Sequence, residues 1–282
     1  MLELRPLSEQ DLPRVHAAML DAFADYPIPM QPALPAFDAL LRRRGVVWPL
    51  SLGAFEADAL LGFTLTARTG ALAYDVMTGV RRSAQGRGLV GELFAELWPR
   101  LRAEGIERIQ LEVIDVNERA VRAYERLGFI RRRKLISWRW DAPIVERASP
   151  TDLVIAQAEA EPSALDWPTW ASWSQCEPAW PSQRATIERS EPRLVLEASL
   201  AGRVCAVAIA SGADLLQIMV APERRRCGIA SALLAGLAAR GCAPQRVLNV
   251  DASAEPLLAW LASSGARPFI TQWEMVAAAS RP

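Results

Sequence analysis

The sequence predicts an α/β chain built as two similar halves, and three observations carry that prediction. The chain is 282 residues long, which halves to 141, and about 100–200 residues is the ordinary size of one domain. Apolar residues make up 51% and charged residues 23%, enough core material for two globular units and no signature of disorder. A polar loop rich in Arg and Gly, following an apolar strand and preceding a helix, occurs twice at an offset of 140 residues.

The two copies of that loop read Val80-Arg-Arg-Ser-Ala-Gln85-Gly86-Arg87-Gly88-Leu89-Val90 and Val220-Ala-Pro-Glu-Arg-Arg225-Arg226-Cys227-Gly228-Ile229-Ala230. Gly62 and Gly202 share the same offset, each in a polar turn between apolar runs, and Gly128 and Gly265 are separated by 137. In the first half Leu2 to Pro6 reads as a strand. Ser8 with Glu9 and Asp11 starts a helix to about Phe23, and Pro35 opens a second helix that ends near Arg44-Gly45. Trp48 to Glu56 and Leu60 to Arg68 form a hairpin through Ala57-Asp58, and Leu72 to Val80 is a further strand. Leu89, Leu93, Leu97 and Leu101 share one face of a helix over Leu89 to Glu104. Ile109 to Ile114 alternates as a strand, Asn117 to Leu127 is a helix, and strands follow around Ile130 and from Leu135 to Trp140. The second half repeats the later part. Strands are expected at Leu194–Ser199, Val204–Ala210, Leu215–Val220, Val247–Asp251 and Thr271–Ala277, with helices at Ile229–Arg240 and Glu255–Ser264. The domains are expected over residues 1–143 and 150–282, with Ala142–Pro150, which holds two prolines, as linker.

Composition excludes several functions. With 32 basic and 32 acidic residues the chain has no net charge to drive nucleic-acid or membrane-surface binding. Its one histidine, His16, cannot build a His-rich metal site, and no metal is expected. Cys176, Cys205, Cys227 and Cys242 show no paired spacing and read as free thiols. The N-terminus is charged at once and no apolar run approaches about 18 residues, so a soluble, cytoplasmic protein is expected. Only Lys134 is a lysine, which disfavours a catalytic one.

The doubled loop is suited to a pyrophosphate. Exposed backbone N–H groups and the positive end of a helix attract phosphate, glycine permits close approach, and Arg adds charge-assisted contacts. An ordinary strand-to-helix turn is the plain alternative. The loop fits neither the P-loop pattern nor the dinucleotide fingerprint. It resembles instead the GNAT superfamily of acyl-CoA-dependent N-acetyltransferases, whose loop reads [QR]-x-x-G-x-[GA]. Gln85 to Val90 and Arg225 to Ala230 match it, with Val90 departing at the small last position. The segment Asn117-Glu-Arg-Ala-Val-Arg-Ala-Tyr124-Glu-Arg-Leu-Gly128-Phe129 resembles a second motif of the same superfamily.

That resemblance implies two domains, each a mixed, mostly antiparallel sheet flanked by helices. It implies acetyl-CoA as co-substrate and transfer to an amine of a small molecule or peptide by direct attack in a ternary complex. The implied cofactor-binding residues are Val80, Gln85, Gly86, Arg87, Gly88, Leu89, Val90 and Asn117, and Val220, Arg225, Arg226, Cys227, Gly228, Ile229 and Ala230. Tyr124 is the implied general acid, or else a core aromatic. Asp75 and Glu112 are candidate bases, or else ordinary strand residues. Phe23 to Tyr26 could line the acceptor pocket. The second half has Leu261 at the tyrosine position and lacks that acid. A non-catalytic acyl-CoA-binding sensor or scaffold, in one or both halves, is the competing reading. Trp167, Trp170, Trp173 and Trp180 read as core or as an aromatic pocket, and Arg131 to Lys134 as a solvated hairpin.

Overall fold

The computed structural model describes residues 1–26, 28–142, 148–158 and 165–279. The middle of the expected linker, residues 143–147, lies outside the described residues. The chain divides into two compact units. The first comprises Met1–Arg132 with Trp273–Pro282, and the second Arg133–Gln272.

The first unit contains β1 (Leu2–Pro6), α1 (Leu12–Ala22), α2 (Leu34–Arg44), β2 (Leu52–Glu56), β3 (Ala59–Thr69), β4 (Leu72–Val80), α3 (Leu89–Ala103), β5 (Arg108–Ile114) and α4 (Glu118–Arg126). Strands β1 to β4 form an antiparallel meander, and β5 joins β4 in parallel. Ser8 does not start α1 directly. It pairs with Asp11 in a capping box around a single 3-10 turn, and α1 begins after it at Leu12. Pro49 likewise sits in a 3-10 turn, so β2 starts four residues later than the pattern suggests. Leu89, Leu93, Leu97 and Leu101 all enter one core beneath α3, as their four-residue spacing requires. Val15, Met19, Phe37 and Leu41 from α1 and α2 build a second core with Phe63 and Met77.

The β3–β4 ladder slips by one residue. Leu65 faces Met77 and Thr66 faces Asp75, so Val76 is the extra residue of a β-bulge. The parallel β4–β5 ladder runs from Leu72 opposite Arg108 to Asp75 opposite Leu111. The bulge and the last rung of the parallel ladder therefore meet at Asp75.

The second unit contains β7 (Val154–Gln157), α5 (Trp167–Ser172), α6 (Arg184–Glu188), β8 (Leu194–Leu200), β9 (Arg203–Ser211), β10 (Asp214–Val220), α7 (Ile229–Ala239), β11 (Arg246–Asp251) and α8 (Glu255–Ser263). Strands β7 to β10 are antiparallel, β11 is parallel to β10, and β10 bulges at Leu216 as β4 does at Val76. Trp167, Trp170 and Trp180 are buried core residues, and Trp173 is half-buried against the same core. The expected class, a mixed and mostly antiparallel sheet with flanking helices, holds in both units.

The boundary between units is not the expected linker. Strand β6 (Ile130–Trp140) is one continuous strand, and its residues Leu135 to Arg139 pair with β11 inside the second unit. The last strand, β12 (Ala266–Ala278), sends Met275 and Ala277 into the first unit's core. The Ala279 amide donates to the Glu107 carbonyl in the same unit, at 2.8 Å. Each half of the sequence thus completes its sheet with a segment whose pairing partners lie far away in the chain, which no local pattern signals.

Candidate active site

Tyr124 of α4 meets β4 at the bulge, and the loop between β4 and α3 and the start of α4 line the cleft that reaches Thr78. Asp75 is 4% exposed. The Tyr124 hydroxyl donates to its Oδ2 at 3.1 Å, and the Thr78 hydroxyl donates to the same oxygen at 2.8 Å. Thr64 on β3 stands 3.0 Å from Thr78, hydroxyl to hydroxyl. Burial pushes the Asp75 carboxyl up to about 6, against the opposing pull of the Thr78 and Tyr124 hydroxyls. Burial also drives the Tyr124 phenol well above its ordinary value, and the Asp75 charge adds to that rise. The Tyr124 ring packs edge-on against Phe94 and Phe129, while its hydroxyl faces the carboxylate.

Asn117 caps α4, its side-chain oxygen accepting from the Ala120 amide at 3.2 Å. Burial raises the Tyr26 phenol, on the loop after α1, and the neighbouring Asn117 side chain and Ile114 backbone pull it back. Phe23 lies edge-on to Tyr26 at 5.1 Å between ring centroids. A cleft of about 890 Å³ runs past Tyr26, Thr78, Gln85, Gly88, Val90 and Asn117. Asp75 and Tyr124 lie behind this lining, which Thr78 joins to them. Glu112 is also outside the lining and has a different partner, accepting from the Tyr74 hydroxyl at 2.8 Å.

The loop is the same device in both units. A 3-10 turn, Arg82–Ala84 or Pro222–Arg224, leads to an extended Gln85 or Arg225. The Gln85 amide donates to the Val80 carbonyl at 3.4 Å, and the Arg225 guanidinium to the Val220 carbonyl at 3.2 Å. Gly86 and Arg226 are left-handed, at φ 81° and 65°, and so are Gly88 and Gly228. With Gly88 or Gly228 as N-cap, helices α3 and α7 point their first amides at the loop.

What surrounds the loops differs. In the second unit Leu215 stands at the Asp75 position, Ala254 caps α8 where Asn117 caps α4, and Leu261 replaces Tyr124. A smaller cavity of about 280 Å³ remains, lined by Val220, Arg225, Gly228, Ile229, Leu257 and Trp260. The Ala148–Ser149 backbone lies directly against Gly228, whereas nothing lies within 4 Å of the Cβ position at Gly88. Among the described residues no group of three or more His, Cys, Asp or Glu could hold a metal, and no helix is long and apolar enough to cross a membrane.

Sequence reasoning located Tyr124, Asp75, Asn117 and both loops but missed Thr78 and the contact of Ala148 with Gly228. Thr78 lies three residues beyond Asp75, and only the bulge at Val76 lets its hydroxyl reach the same carboxylate.

A bulged fourth strand, a parallel fifth strand, and a glycine loop at a helix N-terminus define the fold class of the acyl-CoA-dependent transferases named by the resemblance. Residues 12–129 match the model of the acetyltransferase (GNAT) family. A mycothiol acetyltransferase of Frankia casuarinae is 34% identical over 137 residues, covering 43% of this chain and 39% of that protein. The chain spans about two fifths of the length of the curated relatives it matches. Two solved structures share the fold of the whole chain. A GCN5-related N-acetyltransferase from Sphaerobacter thermophilus superposes with TM-score 0.74 at 17% identity, covering 100% of this chain and 96% of that one. A tandem GNAT protein from the clavulanic acid biosynthesis pathway superposes with TM-score 0.69 at 15% identity, covering both chains fully.

Proposed function

We propose that the chain is an N-acetyltransferase that moves the acetyl group of acetyl-CoA to a primary amine by direct attack in a ternary complex, and that the first unit is its reaction centre. The observation that carries this is the Tyr124–Asp75 pair at the β4 bulge, in the same unit as a loop with open space at Gly86 and Gly88. The Gly86 to Val90 loop and the N-terminus of α3 hold the pyrophosphate, with Val80, Gln85 and Arg87 around it. The pantetheine arm runs along the cleft past Asn117 towards the bulge. Backbone N–H groups freed from the ladder at the bulge polarise the thioester carbonyl. The amine attacks that carbon, the tetrahedral intermediate collapses, and Tyr124 protonates the departing thiolate. The attacking amine gives up its proton to a carboxylate base, for which Asp75, behind Tyr124, and Glu112, held by Tyr74, are the two candidates.

The second unit supports a different reading of its own site. Its loop residues Val220, Arg225 to Ala230 retain the cradle backbone, but leucine and alanine replace the acid, the carboxylate and the asparagine. We infer a non-catalytic half whose loop is of the acyl-CoA-binding type. The acceptor is a small molecule in preference to a peptide, because the relatives' names attach their acetyl transfer to mycothiol. We place the protein in the cytoplasm, with acetyl-CoA and its acceptor as its partners.

A panel of small amines and short peptides, followed by release of free CoA, tests this on wild type, Gly88→Glu and Gly228→Glu. Turnover that survives Gly228→Glu and disappears in Gly88→Glu is expected. The reverse pattern moves the reaction to the second unit. Absence of acetyl-CoA binding to wild type in calorimetry refutes the proposal.

A further inference from the structure

A phenol next to a buried carboxylate is a poor acid on its own. The Tyr124 hydroxyl points its proton at Asp75 and not at the cleft. Giving that proton to a thiolate would leave a phenolate facing a buried carboxylate. The groups around Asp75 sharpen the point. Thr78 donates from its own strand, Thr64 and Thr66 face it from β3, Leu111 is its neighbour on β5, and Tyr124 comes from α4. The nearby titratable groups are Tyr74, whose hydroxyl is bonded to Glu112, and Tyr26, which acts on Tyr124.

Resting on the reading of Tyr124 as general acid, we infer that Asp75 is the proton store behind it, a positioning residue that acts through the phenol. When Asp75 carries a proton, its carboxylic acid donates to the Tyr124 oxygen. The phenolic O–H is then free to turn towards the sulfur. On collapse of the intermediate the sulfur takes the phenolic proton while the phenolic oxygen takes the carboxylic proton. The C–S bond breaks, its electron pair stays on sulfur, the phenol ends neutral and Asp75 ends as carboxylate. The proton lost by the acylated amine balances the one gained by sulfur, and Asp75 is recharged through the same phenol once CoA has left.

Acidities give this route its direction. A thiol titrates at about 8.5 and a phenol at about 10, so transfer from Tyr124 alone, already raised, runs against equilibrium. A carboxyl at about 6 hands its proton to a thiolate downhill.

The test needs no acceptor. Free CoA is bound to the full-length protein, and its thiolate absorbance near 232 nm is followed against pH. In wild type the bound thiol is expected to titrate above about 8.5, because its ionisation sets a second negative charge against Asp75. Asp75→Asn removes that charge and frees the phenolic proton to solvate the thiolate, so the bound thiol should titrate about one pH unit or more lower. The fall must depend on the phenol. On a Tyr124→Phe background, which keeps the ring's packing, Asp75→Asn should move the thiol by less than half as much. A bound-thiol titration that ignores Asp75→Asn, or that shifts equally without the phenol, overturns the inference and leaves the acetyltransferase reading standing. Failure of wild type to bind CoA brings down both.

Discussion

Gly88 and Gly228 hold the same left-handed backbone at the same place in the two units, φ 80° and 78° at the N-caps of α3 and α7, yet one is open and the other is covered. A Cβ at Gly88 would meet nothing within 4 Å, while a Cβ at Gly228 would overlap the Ala148 carbonyl oxygen. An L side chain in this conformation costs about 1 kcal/mol at either position. Alanine at 228 must in addition displace Ala148–Ser149, bringing its cost to about 2–3 kcal/mol. Urea unfolding of Gly88→Ala and Gly228→Ala should therefore give clearly unequal losses. Equal losses would mean that the Ala148 contact contributes nothing to the folded state.

Arg226 occupies the position that Gly86 holds in the first loop, and it does so with φ 65°. A long side chain pays for this conformation in a way that glycine does not. Arg226→Gly should stabilise the second unit by about 0.5–1 kcal/mol after allowing for glycine's greater freedom when unfolded. A rise in Tm checks it. A fall would show that the Arg226 side chain makes contacts worth more than the strain.

Much of this site was legible in the sequence because its parts are local. The loop and the Asn117 to Phe129 helix each lie within fifteen residues, and their spacing fixes which groups share a helix face or a turn. The pairing of Asp75 with Tyr124 could not be read the same way. Both were singled out, but the 3.1 Å contact depends on a one-residue slip at Val76 and on the packing of α4 across the sheet. The fold shows the same division. Periodicity placed the helices and most strands. The assignment of β6 to the second unit and of Met275 and Ala277 to the first depends on pairings more than a hundred residues apart.

Asp11 is a second buried carboxylate, with the opposite shift. Arg5 grips it with two hydrogen bonds, at 3.1 and 2.9 Å, and Ser8 adds its amide and hydroxyl. The Arg5 hydrogen bond is the largest cause holding its acidity below the usual carboxylate range. A carboxyl lowered in the folded state stabilises above its unfolded value of about 3.9, and that stability is lost as pH falls through the folded value. Asp11→Asn should therefore cost about 1–3 kcal/mol at pH 7 and progressively less below pH 4. Urea midpoints of variant and wild type should converge as the pH is lowered. A gap that stays constant from pH 7 to 3 would remove the ion pair as the cause.

Asp75 carries the reverse sign. Its carboxyl is raised to about 6 in the folded protein because burial penalises its charge. Below the unfolded value of about 3.9 both states are protonated and there is no penalty. As pH rises through the folded value the ionised side chain is held out of water, and folding loses stability. Complete ionisation across a gap of about two units corresponds to roughly 3 kcal/mol, an upper figure for a site with two hydroxyl donors. Asp75→Asn keeps an acceptor for Thr78, can donate its amide to the Tyr124 oxygen, and carries no charge. It should be more stable than wild type at pH 8 by about 1–2 kcal/mol, with the advantage gone by pH 4. Paired urea titrations at the two pH values decide it. A variant less stable than wild type at pH 8 would mean that the hydrogen bonds to the ionised carboxylate outweigh its desolvation. The expected result would instead identify Asp75 as a residue that this fold carries at a loss, as the proposed role behind Tyr124 requires.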